Sequence, residues 1–289
     1  MRAIAILGPA ADAGDVRPFE AAGAPITIAD AVGSADSADT ALIFGGDGSI
    51  HRQLPAAAKS QVPLLCVPTG SGNDFSCALG LRTPPDALAA WRRFCTKRDN
   101  VRSIDLVQIT PLDALGKRKP DVESTLYCCI AGVGLDSEVN RHANALPAWL
   151  RGHGGYALAL APALWSFRAQ RVTAELDGGE CFSEAAMLVA FANAPSYGHG
   201  MRMAPRARLD DGLLDLCFIR RVSKLKVLRL FPTIYFGAHL KVKEVEYRTT
   251  ARLRITSETP LDIFADGDLA ARTPAEISVL PKALRVIVP

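Results

Sequence analysis

The chain has 289 residues, which is enough for two domains. Its 49% hydrophobic and 22% charged residues are typical of a globular protein and exclude a largely disordered chain. The net charge of +3 is too small to indicate a nucleic-acid-binding protein, and no basic run is interleaved with stacking aromatic residues.

Three features predict a cytoplasmic protein without a membrane span. The longest nearly apolar segment, 156–167, is shorter than the roughly 20 residues that cross a bilayer. The apolar stretch after Met1 is too short for a signal peptide and predicts a first strand instead. Seven cysteines, an odd number with no Cys-x-x-Cys pair, are typical of reduced thiols in a core.

The first hundred residues alternate short apolar runs with helical patterns. This alternation predicts a three-layer α/β/α domain around a parallel sheet, over residues 1–100. Strands are predicted at 2–8, 25–29, 40–45 and 62–67, and helices near 16–22, 49–60, 73–79 and 84–98.

Beyond residue 100 the pattern changes to short strands, several of which alternate polar and apolar residues. A second, β-rich domain is therefore predicted over 101–289, most simply a β-sandwich. Helices are predicted to interrupt it at 135–144, 149–168 and 223–237, and 111–123 is predicted to be an exposed loop. The predicted strands are 101–110, 125–133, 172–176, 185–192, 213–219, 244–247, 251–256, 261–265, 276–279 and 284–288.

Two glycine-rich turns carry the clearest chemical signal. Gly45-Gly46-Asp47-Gly48-Ser49 follows one buried strand, and Thr69-Gly70-Ser71-Gly72-Asn73-Asp74 follows the next. Glycines let backbone N–H groups approach a ligand, and a helix N-terminus favours an anion. Two such turns, each with an aspartate, predict a polyphosphate held with Mg²⁺. The alternative is that each turn is an ordinary strand-to-helix connection in which Ser49 and Asn73 are N-caps.

The turns also carry a family resemblance. The first resembles the Gly-Gly-Asp-Gly-Thr motif of diacylglycerol kinases and NAD kinases. The second, continuing to Phe75, is similar to the lipid-kinase branch, which includes bacterial diacylglycerol-kinase-like proteins and the sphingosine and ceramide kinases. The resemblance implies an NAD-kinase-like first domain, an active-site cleft between the domains, and ATP and Mg²⁺ as cofactors. It assigns nucleotide contacts to Gly45, Gly46, Asp47, Gly48, Ser49, Ile50, His51, Thr69, Gly70, Ser71, Gly72, Asn73 and Asp74.

Further motifs extend the resemblance into the second domain. Asp105 matches an aspartate that joins an acidic network around the family's cleft, and 130–136 resembles the family's Gly-Leu-Asp turn into a helix. The segment 205–215 is similar to a motif that holds a structural Mg²⁺, which here implies Asp211 with the carbonyls of Arg208 and Leu213 as ligands. The alternative for this segment is a plain hairpin turn.

The resemblance implies two catalytic carboxylates, Asp47 and Asp268. Asp268 stands where the family has a glutamate that is the usual candidate base, so its carboxylate is shorter in reach by about 1.5 Å. Without the family, Asp266-Gly267-Asp268 would be interpreted as a hairpin turn. The chain departs from the family again at Gly8-Pro9, where the Asn-Pro-x-x-Gly loop is replaced.

Together these features predict an ATP- and Mg²⁺-dependent lipid kinase, with diacylglycerol as the default substrate because acyl-chain pockets cannot be distinguished from core in a sequence. The expected partner is a lipid at the inner face of the membrane, bound peripherally. The basic, amphipathic stretch 220–231 is either a membrane-surface helix or a helix that packs its leucines on the sandwich. The alternative functions are a catalytically silent lipid- or nucleotide-binding protein and, less expected from the second turn, an NAD kinase.

Overall fold

The computed structural model describes residues 1–33, 38–145, 155–198 and 200–289. The contacts divide the chain into two compact units: unit 1 is Met1–Leu106 with Pro281–Pro289, and unit 2 is Val107–Leu280. The division differs from the predicted 1–100 and 101–289 mainly at the C-terminus, which returns to the first unit. The reason is a backbone pairing, since Val286 lies in parallel register with Leu64 and the Val288 N–H donates to the Asn100 carbonyl at 2.9 Å.

Unit 1 is the predicted α/β domain. Its parallel strands lie in the order β2, β1, β3, β4, and the end of the last strand of the chain pairs with β4. The elements are β1 (Ala3–Leu7), α1 (Ala13–Ala22), β2 (Ile26–Ile28), β3 (Thr40–Gly45), α2 (Asp47–Ser60), β4 (Leu64–Pro68), α3 (Asp74–Ala78) and α4 (Pro84–Lys97).

Local sequence explains why these elements form. Every residue of β3 and β4 is buried, as expected for central parallel strands covered on both faces. Helix α4 begins with a capping box, in which Thr83 and Asp86 each accept the other's backbone N–H, and Pro84 follows the cap. The Trp91 indole N–H of α4 donates to the Phe19 carbonyl of α1 at 2.8 Å, which locks the two helices together.

Unit 2 is predominantly antiparallel, as the sandwich prediction requires. The elements are β5 (Val101–Pro111, shared with unit 1), β6 (Thr125–Tyr127), β7 (Ile130–Gly134), α5 (Leu135–Asn144), α6 (Gly155–Ser166), β8 (Gln170–Leu176), β9 (Cys181–Ala192), β10 (Leu214–Arg220), α7 (Lys224–Ile234), a 3-10 helix (Ala238–Lys241), β11 (Val245–Thr250), β12 (Arg252–Ser257), β13 (Asp262–Ala265), β14 (Asp268–Arg272) and β15 (Ala275–Ile287, shared with unit 1).

The strands of unit 2 pair in the order β14, β13, β7, β9, β8, β12, β15, and β10 lies between β9 and β11. The predicted helix 135–144 is present with those bounds, whereas the helix predicted at 223–237 ends at Ile234. Residues 149–154 of the helix predicted at 149–168 lie outside the described residues. None of the helices in the described ranges has both the length and the apolar character needed to cross a membrane.

Two apolar clusters stabilise unit 2. The larger is formed by inward-facing side chains of the strands, including Tyr127, Phe191 and Phe218, all fully buried. The smaller joins α5 and α6 to Met187 of β9, and Phe231 of α7 packs against it. Helices α5, α6 and α7 thus form a separate apolar layer, and their side chains line a cavity of unit 2.

Candidate functional site

The two glycine-rich turns lie side by side at the carboxyl edge of the parallel sheet. Strands β3 and β4 pair in parallel, and their register ends with Gly45 opposite Pro68. Helix α2 starts at Asp47, directly after the first turn, and α3 starts at Asp74, directly after the second. The turns therefore occupy the edge at which open parallel sheets bind their ligands.

The turns touch through their backbones, which requires glycine. The Asp47 N–H donates to the Gly72 carbonyl at 3.0 Å. A Cβ at Gly46 would lie 2.4 Å from the Gly72 carbonyl oxygen, and one at Gly70 would lie 2.3 Å from the Gly46 Cα. Gly48 differs, because a Cβ there meets no other atom of the described chain within 4 Å. The first turn thus has one glycine, Gly46, packed against the second turn and another, Gly48, facing open space.

The Asp47 carboxylate holds the second turn in place. Its Oδ2 accepts the Asp74 N–H at 3.1 Å and its Oδ1 accepts the Phe75 N–H at 3.0 Å. These are the first N–H groups of α3, which the helix itself leaves without acceptors. A carboxylate at this end is also favoured by the helix dipole. The sequence interpretation, in which Asp47 projects toward a phosphate, missed this contact.

Of the two N-caps in the alternative interpretation, Asn73 occupies the N-cap position of α3 without a side-chain capping bond, and Ser49 is not an N-cap. The N-cap of α2 is Gly46. The Asn73 amide instead closes its own turn, accepting the Gly70 N–H at 3.2 Å and donating to the Gly70 carbonyl at 2.8 Å. Ser49 is buried, and its hydroxyl would lie 2.6 Å from a Cβ at Gly8. Gly8, directly after β1, therefore leaves room for Ser49 at the start of α2.

The other residues that are predicted to bind the nucleotide differ in how far they are exposed to solvent. The Ile50 side chain is fully buried and belongs to the core. His51 and Thr69 are partly exposed, as are Gly46 to Gly48, and Ser71 is exposed. A ligand can therefore approach the turns from the side of Ser71 and Gly48.

Two carboxylates make this edge of unit 1 electronegative. Burial raises the pKa of the Cys77 thiol, and the negative charges of Asp74 and Asp47 raise it further. Asp74 is itself buried. Because carboxylate oxygens are the ligands that hard cations prefer, this pair fits a Mg²⁺ ion bound together with a polyphosphate.

Asp105 connects β5 to β15. It is 1% exposed, and its Oδ1 accepts the Lys282 N–H at 2.7 Å. Lys282 has φ +53°, in the left-handed region that non-glycine residues rarely adopt. The carboxylate thus stabilises a tight bend in β15, and its membership of an acidic network stays a prediction.

In unit 2, Asp268 is exposed at the start of β14, just after a hairpin turn. The turn residues Asp266 and Gly267 have φ of +50° and +92°, as a two-residue hairpin requires, and Ala265 pairs with Asp268. The Asp266 carboxylate accepts N–H groups from Cys128, Cys129 and Ile130 at 2.9, 2.9 and 3.2 Å. Asp266 therefore fixes the hairpin, and Asp268 presents its carboxylate to solvent.

The segment predicted to hold a structural cation forms a turn before β10. Asp211 is exposed and its Oδ1 accepts the Leu213 N–H at 3.1 Å, while Arg208 lies 4.0 Å from the carboxylate of Asp210. Burial raises the pKa of Asp215 to about 6, and the charge of Asp211 adds to this. The cation site predicted from Arg208, Asp211 and Leu213 stays a prediction.

Unit 2 also contains an apolar cavity between α5, α6, α7 and the sheet. Its lining is almost entirely apolar and includes Leu160, Met187, Met203 and Phe231. The exceptions are polar groups with buried partners, namely Asp136, Tyr197 and His239. The cavity thus offers an apolar surface with polar atoms at specific points.

The polar groups of the cavity are organised around Asp136. Its carboxylate accepts the Tyr197 hydroxyl at 2.5 Å and the Asn140 amide at 3.3 Å, and it is 3% exposed. The His239 Nε2 contacts the Met203 carbonyl at 3.0 Å, and burial lowers the pKa of His239. Buried side chains of this kind can bind a hydroxyl or carbonyl group of a ligand.

Sequence reasoning found Asp136 and Asp266 as parts of motifs but missed the contacts of Tyr197 and His239. Tyr197 lies 61 residues from Asp136, and an isolated tyrosine carries no signal of such a contact. For Asp266, the Asp-Gly pair in a predicted hairpin was a usable signal, because it marks the turn that the carboxylate stabilises.

Comparison with known proteins adds two family matches. Residues 4–109 match the diacylglycerol kinase catalytic domain, and residues 129–288 match the YegS C-terminal NAD kinase beta sandwich-like domain. The chain is 35% identical to a diacylglycerol kinase of Mycobacterium tuberculosis over 262 residues, which cover 88% of this chain and 78% of that protein.

Solved structures share the fold at low identity. A crystal structure of a diacylglycerol kinase from Bacillus anthracis has a TM-score of 0.68 at 18% identity, covering 100% of this chain and 97% of the other. An NAD kinase from Archaeoglobus fulgidus in complex with ATP has a TM-score of 0.56 at 15% identity, covering 99% and 93%. Both likenesses concern the fold alone.

Proposed function

Since the chain belongs to the diacylglycerol kinase family of lipid kinases, we propose that it transfers the γ-phosphate of ATP to the hydroxyl of a membrane lipid, with diacylglycerol the first candidate. The observation that supports a lipid as the substrate is the cavity of unit 2, whose apolar lining is interrupted by Asp136 and Tyr197. An acyl chain would occupy the apolar part, and the buried carboxylate and phenol would bind the polar groups at its head.

The nucleotide phosphates are proposed to bind over the first turn. The open space at Gly48 leaves room for an anion next to the amino end of α2, whose helix dipole favours negative charge. Gly46 and Gly70 support this by letting the two turns approach closely. The exposed Ser71 is a further hydrogen-bond donor at the same edge.

Mg²⁺, when bound with ATP, would neutralise phosphate oxygens and the carboxylates of this edge. The electronegative surroundings of Cys77 support that assignment, since Asp47 and Asp74 both act on its thiol. Asp47 is proposed to act chiefly by positioning: its carboxylate holds the Asp74 and Phe75 N–H groups and thereby the shape of the second turn.

Asp268 is proposed to accept the proton of the lipid hydroxyl as that oxygen attacks the γ-phosphorus of ATP, whose bond to the departing ADP breaks. An exposed carboxylate can take up this proton, and the hairpin held by Asp266 restricts where it can lie. A second cation, bound by Asp211 and the carbonyls of Arg208 and Leu213, is proposed to be structural and to stabilise the turn before β10.

The test is incubation of the purified protein with γ-labelled ATP, Mg²⁺ and a total lipid extract, with the labelled lipid identified by mass. We expect one lipid class to be phosphorylated, with phosphatidic acid as the product if diacylglycerol is the substrate. Lipid bound without any transfer of label would contradict the proposal and favour the silent binding protein. Label transferred to NAD would favour the NAD kinase alternative.

A further inference from the structure

Helix α7 is apolar on two sides. Val227, Phe231 and Ile234 line the cavity of unit 2. Leu225 and Leu228, one turn apart on the opposite side, are 60% and 49% exposed. Of the residues from Lys224 to Ile234, all of them described, none is buried. The sequence-based alternative in which 220–231 packs its leucines on the sandwich does not account for Leu225 and Leu228.

Large aromatic side chains lie exposed at both ends of α7. Trp165, in the last turn of α6, and Phe236, just beyond α7, are each 82% exposed. The Lys224 ammonium lies 5.4 Å from the centre of the Trp165 ring and also donates to the Trp165 carbonyl at 2.5 Å. Because Lys224 holds Trp165 from the end of α7, this indole is a fixed feature of the surface.

Three basic side chains border the same surface. Arg168, Arg221 and Lys224 line an open groove next to Trp165. Within the described residues, neither Arg168 nor Arg221 lies within 4 Å of a carboxylate, whereas nearby Arg220 and Lys226 pair with Glu184 and Glu244 at 2.8 Å each. The unneutralised charge is therefore concentrated at the amino end of α7.

We propose that this surface, the α7 face, docks on a bilayer that contains anionic lipid. Protein surfaces that lie at a membrane interface are rich in exposed Trp and Leu with Lys and Arg beside them. The α7 face is formed by Trp165, Leu225, Leu228 and Phe236 with the cations Arg168, Arg221 and Lys224.

A bilayer explains the arrangement better than a protein partner because α7 separates the α7 face from the apolar cavity. Side chains on its inner side contact the cavity and those on its outer side contact the membrane, so a lipid could pass beside one helix without crossing water. In this respect the inference rests on the proposed function, but membrane binding can be measured without any kinase activity.

The experiment measures binding of the full chain to phosphatidylcholine vesicles with and without phosphatidylglycerol. Wild type is compared with two double variants, Trp165→Ala/Phe236→Ala and Arg168→Gln/Arg221→Gln. The control variant, Leu115→Ala/Lys117→Gln, changes an equally exposed leucine and an exposed lysine of a distant loop segment. Melting temperatures establish that all four proteins are folded.

We expect wild type to prefer the anionic vesicles. The aromatic variant should bind both kinds of vesicle at least about tenfold more weakly. At roughly fivefold per charge, the arginine variant should lose about 25-fold in binding to the anionic vesicles only. The control should bind as wild type does.

A parallel assay uses a short-chain diacylglycerol dissolved as monomers, with ATP and Mg²⁺. Both double variants should phosphorylate it at the wild-type rate, because their changes lie outside the proposed catalytic and lipid-binding residues. If wild type binds anionic vesicles but transfers no phosphate to any lipid, the proposed function fails and the docking surface stands.

Three results would overturn the docking proposal. The first is that wild type does not prefer anionic vesicles, and the second is that the α7 variants bind them as tightly as wild type does. The third is that wild type does not bind vesicles and is a dimer in solution, whereas the variant Trp165→Ala/Phe236→Ala is a monomer. That result would make the α7 face an interface between copies of this chain.

Discussion

Gly46 and Gly48 lie two residues apart in the first turn, and the structure predicts opposite effects of replacing them by alanine. At Gly46 the new methyl would lie 2.4 Å from the Gly72 carbonyl, and main-chain atoms would have to move. Overpacking of this kind costs about 1–3 kcal/mol. At Gly48 the methyl meets no atom of the described chain within 4 Å, and the residue lies in α2. Alanine there should stabilise the protein by about 0.5–1 kcal/mol.

Nucleotide binding should fall in both variants, although their stabilities change in opposite directions. The open space at Gly48 is where we place a phosphate, so Gly48→Ala should be more stable than wild type and yet bind ATP more weakly. Gly46→Ala should lose both stability and binding because the turns are forced apart.

The assays are urea unfolding for stability and equilibrium titration with a fluorescent ATP analogue for binding. Wild-type nucleotide affinity in Gly48→Ala would refute the placement of the phosphates over this turn. Wild-type stability in Gly46→Ala would refute the close contact of the two turns.

Three further predictions follow from single contacts. Asp47→Ala removes the acceptor of two helix N–H groups, so it should lower stability by about 1–3 kcal/mol and transfer by at least about 10²; near-normal turnover in the folded variant would contradict its role. Asp211→Ala should abolish any rise of melting temperature on adding Mg²⁺, and a wild type that is indifferent to Mg²⁺ and chelator would make the site a plain turn. His239 has its pKa lowered by burial, so only the unfolded chain takes up its proton just below pH 6.5, and stability should fall as pH falls through that range. His239→Gln should lose this pH dependence in thermal melts, and an unchanged dependence would show that another group causes it.

The sequence predicted the parts of the structure that depend on neighbouring residues. The two turns carry their own glycines and aspartates, and the helix 135–144 begins directly after the glycine turn that ends β7. Strand β14 was missed because Asp268–Arg272 has neither alternation nor β-branched residues, and it forms only because the hairpin returns along β13.

Contacts between distant segments could not be predicted from local patterns. The return of the C-terminus to unit 1 depends on the pairing of Val286 with Leu64. Neither strand has a sequence feature that indicates this pairing. The capping of α3 by Asp47 joins residues 27 and 28 positions apart. The cavity is lined by leucine, methionine and phenylalanine, which have the same pattern as core residues.

The central claim is phosphoryl transfer to a lipid hydroxyl with Asp268 as the base. The most direct test is the turnover of wild type, Asp268→Asn and Asp268→Glu with ATP, Mg²⁺ and diacylglycerol under one set of conditions. Wild type should transfer phosphate. Asp268→Asn should fold, keep its ATP affinity and lose at least about 10² in rate, because only the proton acceptor is gone. Asp268→Glu should retain activity, since it keeps a carboxylate. An active Asp268→Asn would contradict the base assignment, and no transfer by any of the three proteins would contradict the claim of a lipid kinase.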